Sequence, residues 1–594
     1  MTDAALRVAN CSGFYGDRLS AMREMLEGGE VDVLTGDYLA ELTMLILGRD
    51  RTKDPSLGYA RTFLKQAEDC MGLALERGVR IVSNAGGLNP AGLAEKLREV
   101  ASGLGLSPQV AHVQGDDLMD RVDELGLGKP LTANAYLGAF GIAAALQRGA
   151  DIVVTGRVTD ASVVVGPAIA HFGWGRTAYD ELAGAAVAGH VIECGAQASG
   201  GNFSGFRSLR PDTTPIGFPL AEISSDGSSA ITKHPGTGGA VTTDTVTAQL
   251  VYEVQSQIYL GPDVSVHLDS IELADDGDDR VRISGVRGQA PPPQLKVCVN
   301  ELGGFRNTIE FVLTGLEIDA KADWVRAQLE AALAENPPGS VEWTLARTER
   351  EDASTEEAAS CRLRVTVKDQ DPNVVGKAFT AAAVELGLAS YPGFTLTGPP
   401  APATPYGLYR PAYVDQADVA HTVVHADGSS QRIEPPAETQ RRGEGPANAA
   451  GAGTTTTGTM PSPGADDGGA RAAAEAPQDV VTRRLPLGTF VHARSGDKGG
   501  DANIGLWVDQ TKRAAERTAW LTKFITTNRV KELVPEAADL EVEVYPLPNL
   551  GAVNILVRGL LGEGVAASSR FDPQAKALGE WVRSRHVSIT ENLL

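Results

Sequence analysis

Val79-Arg80-Ile81-Val82-Ser83-Asn84-Ala85-Gly86-Gly87-Leu88-Asn89-Pro90 reads as one strand-to-helix joint. The β-branched run 79–82 suits a buried strand. Asn89 followed by Pro90 suits a helix start, with Asn as N-cap and Pro in the first turn. Leu93, Leu97 and Val100 then continue at helical spacing. The same grammar recurs on both sides of this joint. Strands are predicted at 6–10, 31–34, 110–113 and 152–154, and helices at 17–28, 59–77, 135–147 and 161–170. Repeated βα units with short joints predict a mostly parallel sheet with helices on both faces. A doubly wound sheet is the first choice and a barrel the alternative.

Beyond about residue 205 the pattern changes. Runs 241–254, 264–273, 281–285, 295–299 and 363–367 read as strands, and 322–333 and 372–386 as helices. This predicts an α+β extension, either a second domain or an embellishment of the first. Residues 426–484 include Thr454-Thr455-Thr456-Thr457, Pro461-Ser462-Pro463 and Ala472-Ala473-Ala474. Such sequence cannot bury enough apolar area to offset its ordering entropy, which predicts a disordered linker. Strand patterns at 489–493, 504–508, 540–546 and 552–556, with helices at 513–524 and 573–585, predict a small carboxyl-terminal α+β domain over 485–594. The expected class is therefore α/β, with an α/β domain over 1–425.

A chain of 594 residues exceeds what one core organises. The formal charge of -23 argues against nucleic-acid partners, which need a basic surface, but leaves room for a local pocket for a small anion. Cys11, Cys70, Cys194, Cys298 and Cys361 are widely spaced and form no CxxC pair, which argues against a disulfide framework or structural zinc. Neither a signal peptide nor an apolar run long enough for a membrane span is visible, so a cytoplasmic protein is expected. A homo-oligomer is expected from size and class alone.

Candidate site residues fall in loops behind apolar runs, where open α/β sheets bind ligands. Asn10 and Gly13 close the first strand, with Asp17 read as an N-cap. Asn84, Gly86, Gly87 and Asn89 present backbone N–H groups before a helix, an arrangement suited to an anion. The alternative is a plain turn. Neither GxGxxG nor a Walker A spacing occurs, so no nucleotide cofactor fingerprint is present. Arg157, Thr159 and Asp160 share one loop: Arg157 suits a carboxylate or phosphate, and Asp160 a base, a metal ligand or a helix cap. His190 and Glu193, three apart on a helix, form a candidate acid–base pair. Cys194 reads as core rather than nucleophile. Gly200 and Gly201 could supply oxyanion donors. Lys233 and His234 form a further polar loop, read equally as an anion contact or a solvated turn. Arg494, Asp497 and Lys498 make a charged glycine-rich turn that could complete the site across the linker or dock the small domain to a neighbouring subunit, with a solvated turn as the equal alternative.

Four of these segments together resemble the acyclic terpene utilisation (AtuA-like) family. They are Asn84-Ala85-Gly86-Gly87-Leu88-Asn89-Pro90, Val154-Thr155-Gly156-Arg157-Val158-Thr159-Asp160, Ala188-Gly189-His190 with Glu193-Cys194-Gly195, and Gly200-Gly201. Arg494-Ser495-Gly496-Asp497-Lys498-Gly499 and Leu547-Pro548-Asn549 resemble the small domain that accompanies that family. The resemblance implies bacterial catabolism of acyclic terpenoids or branched acyl-CoA compounds. The activity it implies is a carbon–carbon lyase acting on a branched 3-hydroxyacyl-CoA. An acyl-CoA hydratase or hydrolase, and a non-catalytic acyl-CoA-binding or scaffold protein, are the alternatives. A small-molecule substrate such as a CoA thioester is the expected partner, and a divalent metal is left open. No residue role is carried over from the resemblance; the candidates rest on loop chemistry.

Overall fold

The computed structural model describes residues 4–209, 214–441, 481–509 and 513–594. The first strands are β1 (Leu6–Asn10), β2 (Val33–Gly36), β3 (Arg80–Ser83), β4 (Val110–Gln114), β5 (Thr132–Ala135) and β6 (Ile152–Thr155). Five of them run parallel in the order β1-β2-β3-β6-β4. Alternate side chains enter opposite cores: Val8, Val33, Val82 and Val153 face one, and Ala9, Leu34, Ile81 and Val154 the other. Met22, Phe63 and Leu93 cover the second face, and Ile142, Val164 and Val187 cover the first. Helices therefore lie on both faces, as the βα pattern requires.

The expectation of a mostly parallel sheet is corrected. β7 (Pro219–Ile223) pairs antiparallel with β1, and β8 (Ser229–Lys233) with β7. Arg280–Ser284 and Glu272–Asp275 extend that edge, while Thr422–Val424 and Ser430–Arg432 extend the other beside β4. The result is an eleven-stranded mixed sheet with a parallel centre. The added strands arrive through reverse turns such as Ser224 to Ser228, closed by Gly227 N–H to Ser224 O at 3.0 Å. A tight turn can only join antiparallel neighbours.

A second sheet is built on the 21-residue strand Gln294–Thr314, which pairs with Ser360–Asp369, Thr404–Asp415 and β5. β5 occupies the start of the stretch read as a helix from 135, and the helix begins only at Phe140. Residues 241–254 likewise hold the helix Thr243–Leu250 rather than a strand. A capping box between Thr242 and Thr245 starts that helix, overriding the β-branched composition.

Four antiparallel strands, Val491–Lys498, Asp501–Val508, Ala552–Val557 and Val542–Leu547 in spatial order, form the carboxyl-terminal sheet. It has its own core around Ile504, Leu521, Ile555 and Val582. The domain docks tightly: Trp507 is fully buried, stacked with His492 and Phe203. Both ends of the segment expected to be a linker are strands, Ser430–Arg432 and Thr482–Pro486. The low-complexity runs between them lie outside the described residues.

Candidate active site

β3 feeds the helix Pro90–Gly103 on one face of the sheet, and its neighbour β6 feeds Ser162–Phe172 on the other. Adjacent strands whose connections leave in opposite directions open a crevice at their carboxyl ends. The joint loops converge there. Asn84 accepts the Tyr38 N–H at 2.8 Å and donates to Asp37 Oδ1 at 2.5 Å. Arg157 donates its backbone N–H to Asp116 Oδ2 at 2.8 Å and its Nη1 to Asp160 Oδ1 at 2.6 Å. Its guanidinium is buried over the Tyr136 ring at 4.2 Å. Burial opposes that charge, but Asp160, Tyr136, Asp37 and Glu41 outweigh it and hold Arg157 firmly protonated.

The helix Tyr179–Ile192 brings His190 to the same place, fully packed inside. His190 Nδ1 lies 2.9 Å from Glu193 Oε1, and the ring sits 5.0 Å from that of Tyr259. His190 Nε2 and Glu193 Oε2 have no partner among the described residues. Burial disfavours the imidazolium, yet Glu193 overcomes this and raises the His190 pKa. Burial also raises the Glu193 carboxyl, against the pull of His190. The two shifts have different causes, the Glu193 charge for His190 and burial for Glu193, and the two groups titrate as one pair.

A second set of groups came without a sequence motif. Asp37 is pushed well up by burial and by Asp160. Burial opposes ionisation of Glu41, but Lys296, Lys498 and Arg157 hold it ionised. Lys296 Nζ lies 3.3 Å from Glu41 and 4.9 Å from the Tyr136 ring. Glu253 is likewise kept ionised against burial by Lys576, at 3.2 Å, and Lys498. Asp497 is pushed up to about 7 by burial and Glu253. Asp116 is pushed up to about 7 by burial.

The candidates of the sequence thus sort by what their atoms do. Arg157, Asp160, His190, Glu193, Asp497 and Lys498 share one electrostatic cluster drawn from both domains. Thr159 bonds Ser162 Oγ at 2.5 Å. Asn10 clamps β1 to the helix end, donating to the Ile192 and Glu193 carbonyls at 2.6 and 2.9 Å. Gly13 packs so closely that a Cβ would lie 2.6 Å from the Cys194 backbone. Arg494 anchors the domains, donating to the Asn202 carbonyl at 2.8 Å and to Gln197, with its guanidinium 4.4 Å over Tyr252.

Other readings are corrected by the geometry. In the glycine joint, the N–H groups of Ala85, Gly87, Leu88 and Asn89 all donate within the protein, so they do not cradle an anion. Asn89 Oδ1 caps its helix through Gly92 N–H at 2.9 Å. Gly86 is required because a Cβ would lie 2.4 Å from the Thr155 carbonyl. Gly200 and Gly201 donate to Gln197 and Ala196, which removes them as oxyanion donors. Asp17 caps no helix, since the following one starts at Ala21; it accepts Gly13 N–H at 2.9 Å instead. Asp160 is likewise not the N-cap of Ser162–Phe172. Lys233 and His234 form neither an anion site nor a solvated turn: Lys233 pairs with Asp279 at 2.9 Å, and His234 Nε2 lies 3.0 Å from the Met25 carbonyl. Burial, Glu193 and Glu253 push the Cys194 thiol well up, against a nucleophilic role.

A separate groove of about 720 Å³ runs along Ala515, Thr518 and Lys523 to Pro548. It holds little acid–base chemistry, whereas the interdomain cluster holds much. Among the described residues, no group of three or more His, Cys, Asp or Glu side chains is placed to hold a metal ion. No helix among them is long and apolar enough to cross a membrane.

Comparison with known families gives two matches. The acyclic terpene utilisation family protein AtuA matches residues 6–425, and the AtuA ferredoxin-like domain matches residues 485–588. No curated protein matches the chain. Matched over most of its length, the chain belongs to the acyclic terpene utilisation family AtuA and carries an AtuA ferredoxin-like domain towards its carboxyl terminus.

Proposed function

We propose that this chain is an enzyme of acyclic terpenoid or branched acyl-CoA catabolism, and most concretely a lyase that cleaves a branched 3-hydroxyacyl-CoA. The observation that carries this reading is His190: a buried imidazole with Nδ1 on Glu193 and Nε2 unpartnered. When Glu193 accepts from Nδ1–H, the bare Nε2 is a general base. It takes the 3-hydroxyl proton, C3 becomes a carbonyl, and the C2–C3 bond breaks. The bonding pair passes to C2 and the thioester oxygen, and the proton held by His190 returns to C2. Arg157 has an Nε without a partner among the described residues, which suits a substrate carboxylate. Asp160 keeps that guanidinium charged.

Purified full-length protein incubated with branched 3-hydroxyacyl-CoA thioesters, with and without divalent metal, tests this by mass spectrometry. Cleavage into a carbonyl compound and a shortened acyl-CoA supports it. Enoyl-CoA or free CoA as product replaces it with hydratase or hydrolase chemistry. Binding without turnover replaces it with a carrier role.

A further inference from the structure

The geometry points to Lys498, supplied by the carboxyl-terminal domain, as the cation that binds an anionic acyl oxygen of the substrate in the interdomain cluster. This rests on the reading of that cluster as the active site.

The charge pattern singles out this residue. Arg157 is paired with Asp160, Lys296 with Glu41 and Lys576 with Glu253, at 2.6, 3.3 and 3.2 Å. Lys498 alone in this set makes no ion pair or side-chain hydrogen bond among the described residues, although its charge acts on Glu41, His190, Glu193 and Glu253. The carboxylates held ionised, Glu41 and Glu253, already have nearer partners. The other acids of the cluster have partners as well: Asp37 Oδ1 accepts from Asn84 at 2.5 Å, Glu193 Oε1 lies 2.9 Å from His190 Nδ1, and Asp497 lies 3.7 Å from Lys576 Nζ. Lys498 is therefore the one cation of this set without a carboxylate partner among the described residues.

Its position is held by packing. Lys498 ends the strand Val491–Lys498 at a hairpin tip, with Gly499 at φ +68°. A Cβ on Gly499 would lie 2.6 Å from the Tyr409 ring, and one on Gly500 would lie 2.2 Å from the Gly562 carbonyl. The tip is thus wedged between the second sheet and its own domain, and the lysine stem starts from a fixed point. A partly buried lysine with no ion pair among the described residues, adjoining Asp497, which lies 3.7 Å from Lys576 in the cluster, suits an acyl oxygen that carries or gains negative charge: a carboxylate, or the thioester oxygen during C2–C3 cleavage.

The test is calorimetric titration of the full chain with 3-hydroxy-3-methylbutyrate, whose carboxylate stands in for the charged acyl oxygen. Wild type is expected to bind, Lys498→Gln to bind at least about tenfold more weakly, and Lys498→Arg to recover part of the affinity. The fold of Lys498→Gln is expected to be retained by circular dichroism, since Nζ makes no ion pair or side-chain hydrogen bond among the described residues. Equal affinity of wild type and Lys498→Gln, or no binding by wild type at millimolar ligand, overturns the inference. Turnover of the thioesters is read separately. Lysine-dependent binding without turnover sinks the lyase reading and keeps the lysine, and turnover indifferent to Lys498→Gln does the reverse.

Discussion

Asn503 Oδ1 accepts the backbone N–H of Glu253 at 2.8 Å, joining two domains across the chain. Asn503 Nδ2 and Asn554 Nδ2 both donate to the Val254 carbonyl, at 3.2 and 3.1 Å. Glu253 stands at φ +56°, in the left-handed region that non-glycine residues seldom adopt. Two buried asparagines thus hold a strained backbone that places a carboxylate against Lys576. The ferredoxin-like domain is in this sense a wall of the candidate site.

Asn503→Ala removes that clamp and leaves the Glu253 N–H without its acceptor, while the Val254 carbonyl keeps its bond from Asn554. A loss of about 2–4 kcal/mol is expected in chemical unfolding. Faster amide exchange should appear at 252–254. Unchanged stability and exchange would mean that the segment holds itself.

Arg157→Ala is expected to cost about 2–4 kcal/mol, because Asp160 loses its partner and the Tyr136 face its cation. Arg157→Lys should not restore it, since an ammonium cannot reproduce the planar stacked fork. Urea unfolding of both variants is the measurement, and full recovery by lysine would contradict this account.

The raised carboxyls predict a pH dependence of defined sign. Asp497 and Asp116 both titrate near 7 when folded and near 4 when unfolded, so between these values the folded protein binds more protons. Stability contributed by these groups is therefore full at about pH 4 and lost as pH rises towards 7 and slightly beyond. Asp497→Asn should flatten this fall in melting temperature between about pH 5 and 7.5. An identical slope would remove Asp497 from the cause.

Much of this was legible in the sequence because local physics decided it. The β1 span is read from its apolar run, and the Asn89–Pro90 helix start from capping chemistry. His190 and Glu193 are three apart on one helix, so their contact follows from helical geometry. Glu41, Lys296, Glu253 and Lys576 carried no such signal. Each is an ordinary charged residue whose role arises when segments far apart in sequence pack together, as Lys296 and Glu41 do at 3.3 Å. The helix Glu41–Lys53, which carries Glu41, escaped because it shows little one-sided apolar patterning. The glycine joint misled in the other direction: its composition suits an anion, but the N–H groups of Ala85, Gly87, Leu88 and Asn89 are spent within the protein.

Gly13→Ala is expected to destabilise by about 1–3 kcal/mol, because its Cβ would press on the Cys194 backbone, which cannot swing aside. Gly103→Ala is the control. It meets nothing within 4 Å at the end of its helix, and should be neutral or stabilising by up to about 1 kcal/mol. Equal effects at the two positions would contradict the close approach of β1 to the His190 helix.

The most direct measurement is kcat of wild type and His190→Gln, as full chains, on a branched 3-hydroxyacyl-CoA that the wild type cleaves. The account predicts a loss of about 10²–10⁴-fold in kcat with the fold retained by circular dichroism. A His190→Gln enzyme that cleaves at the wild-type rate contradicts it.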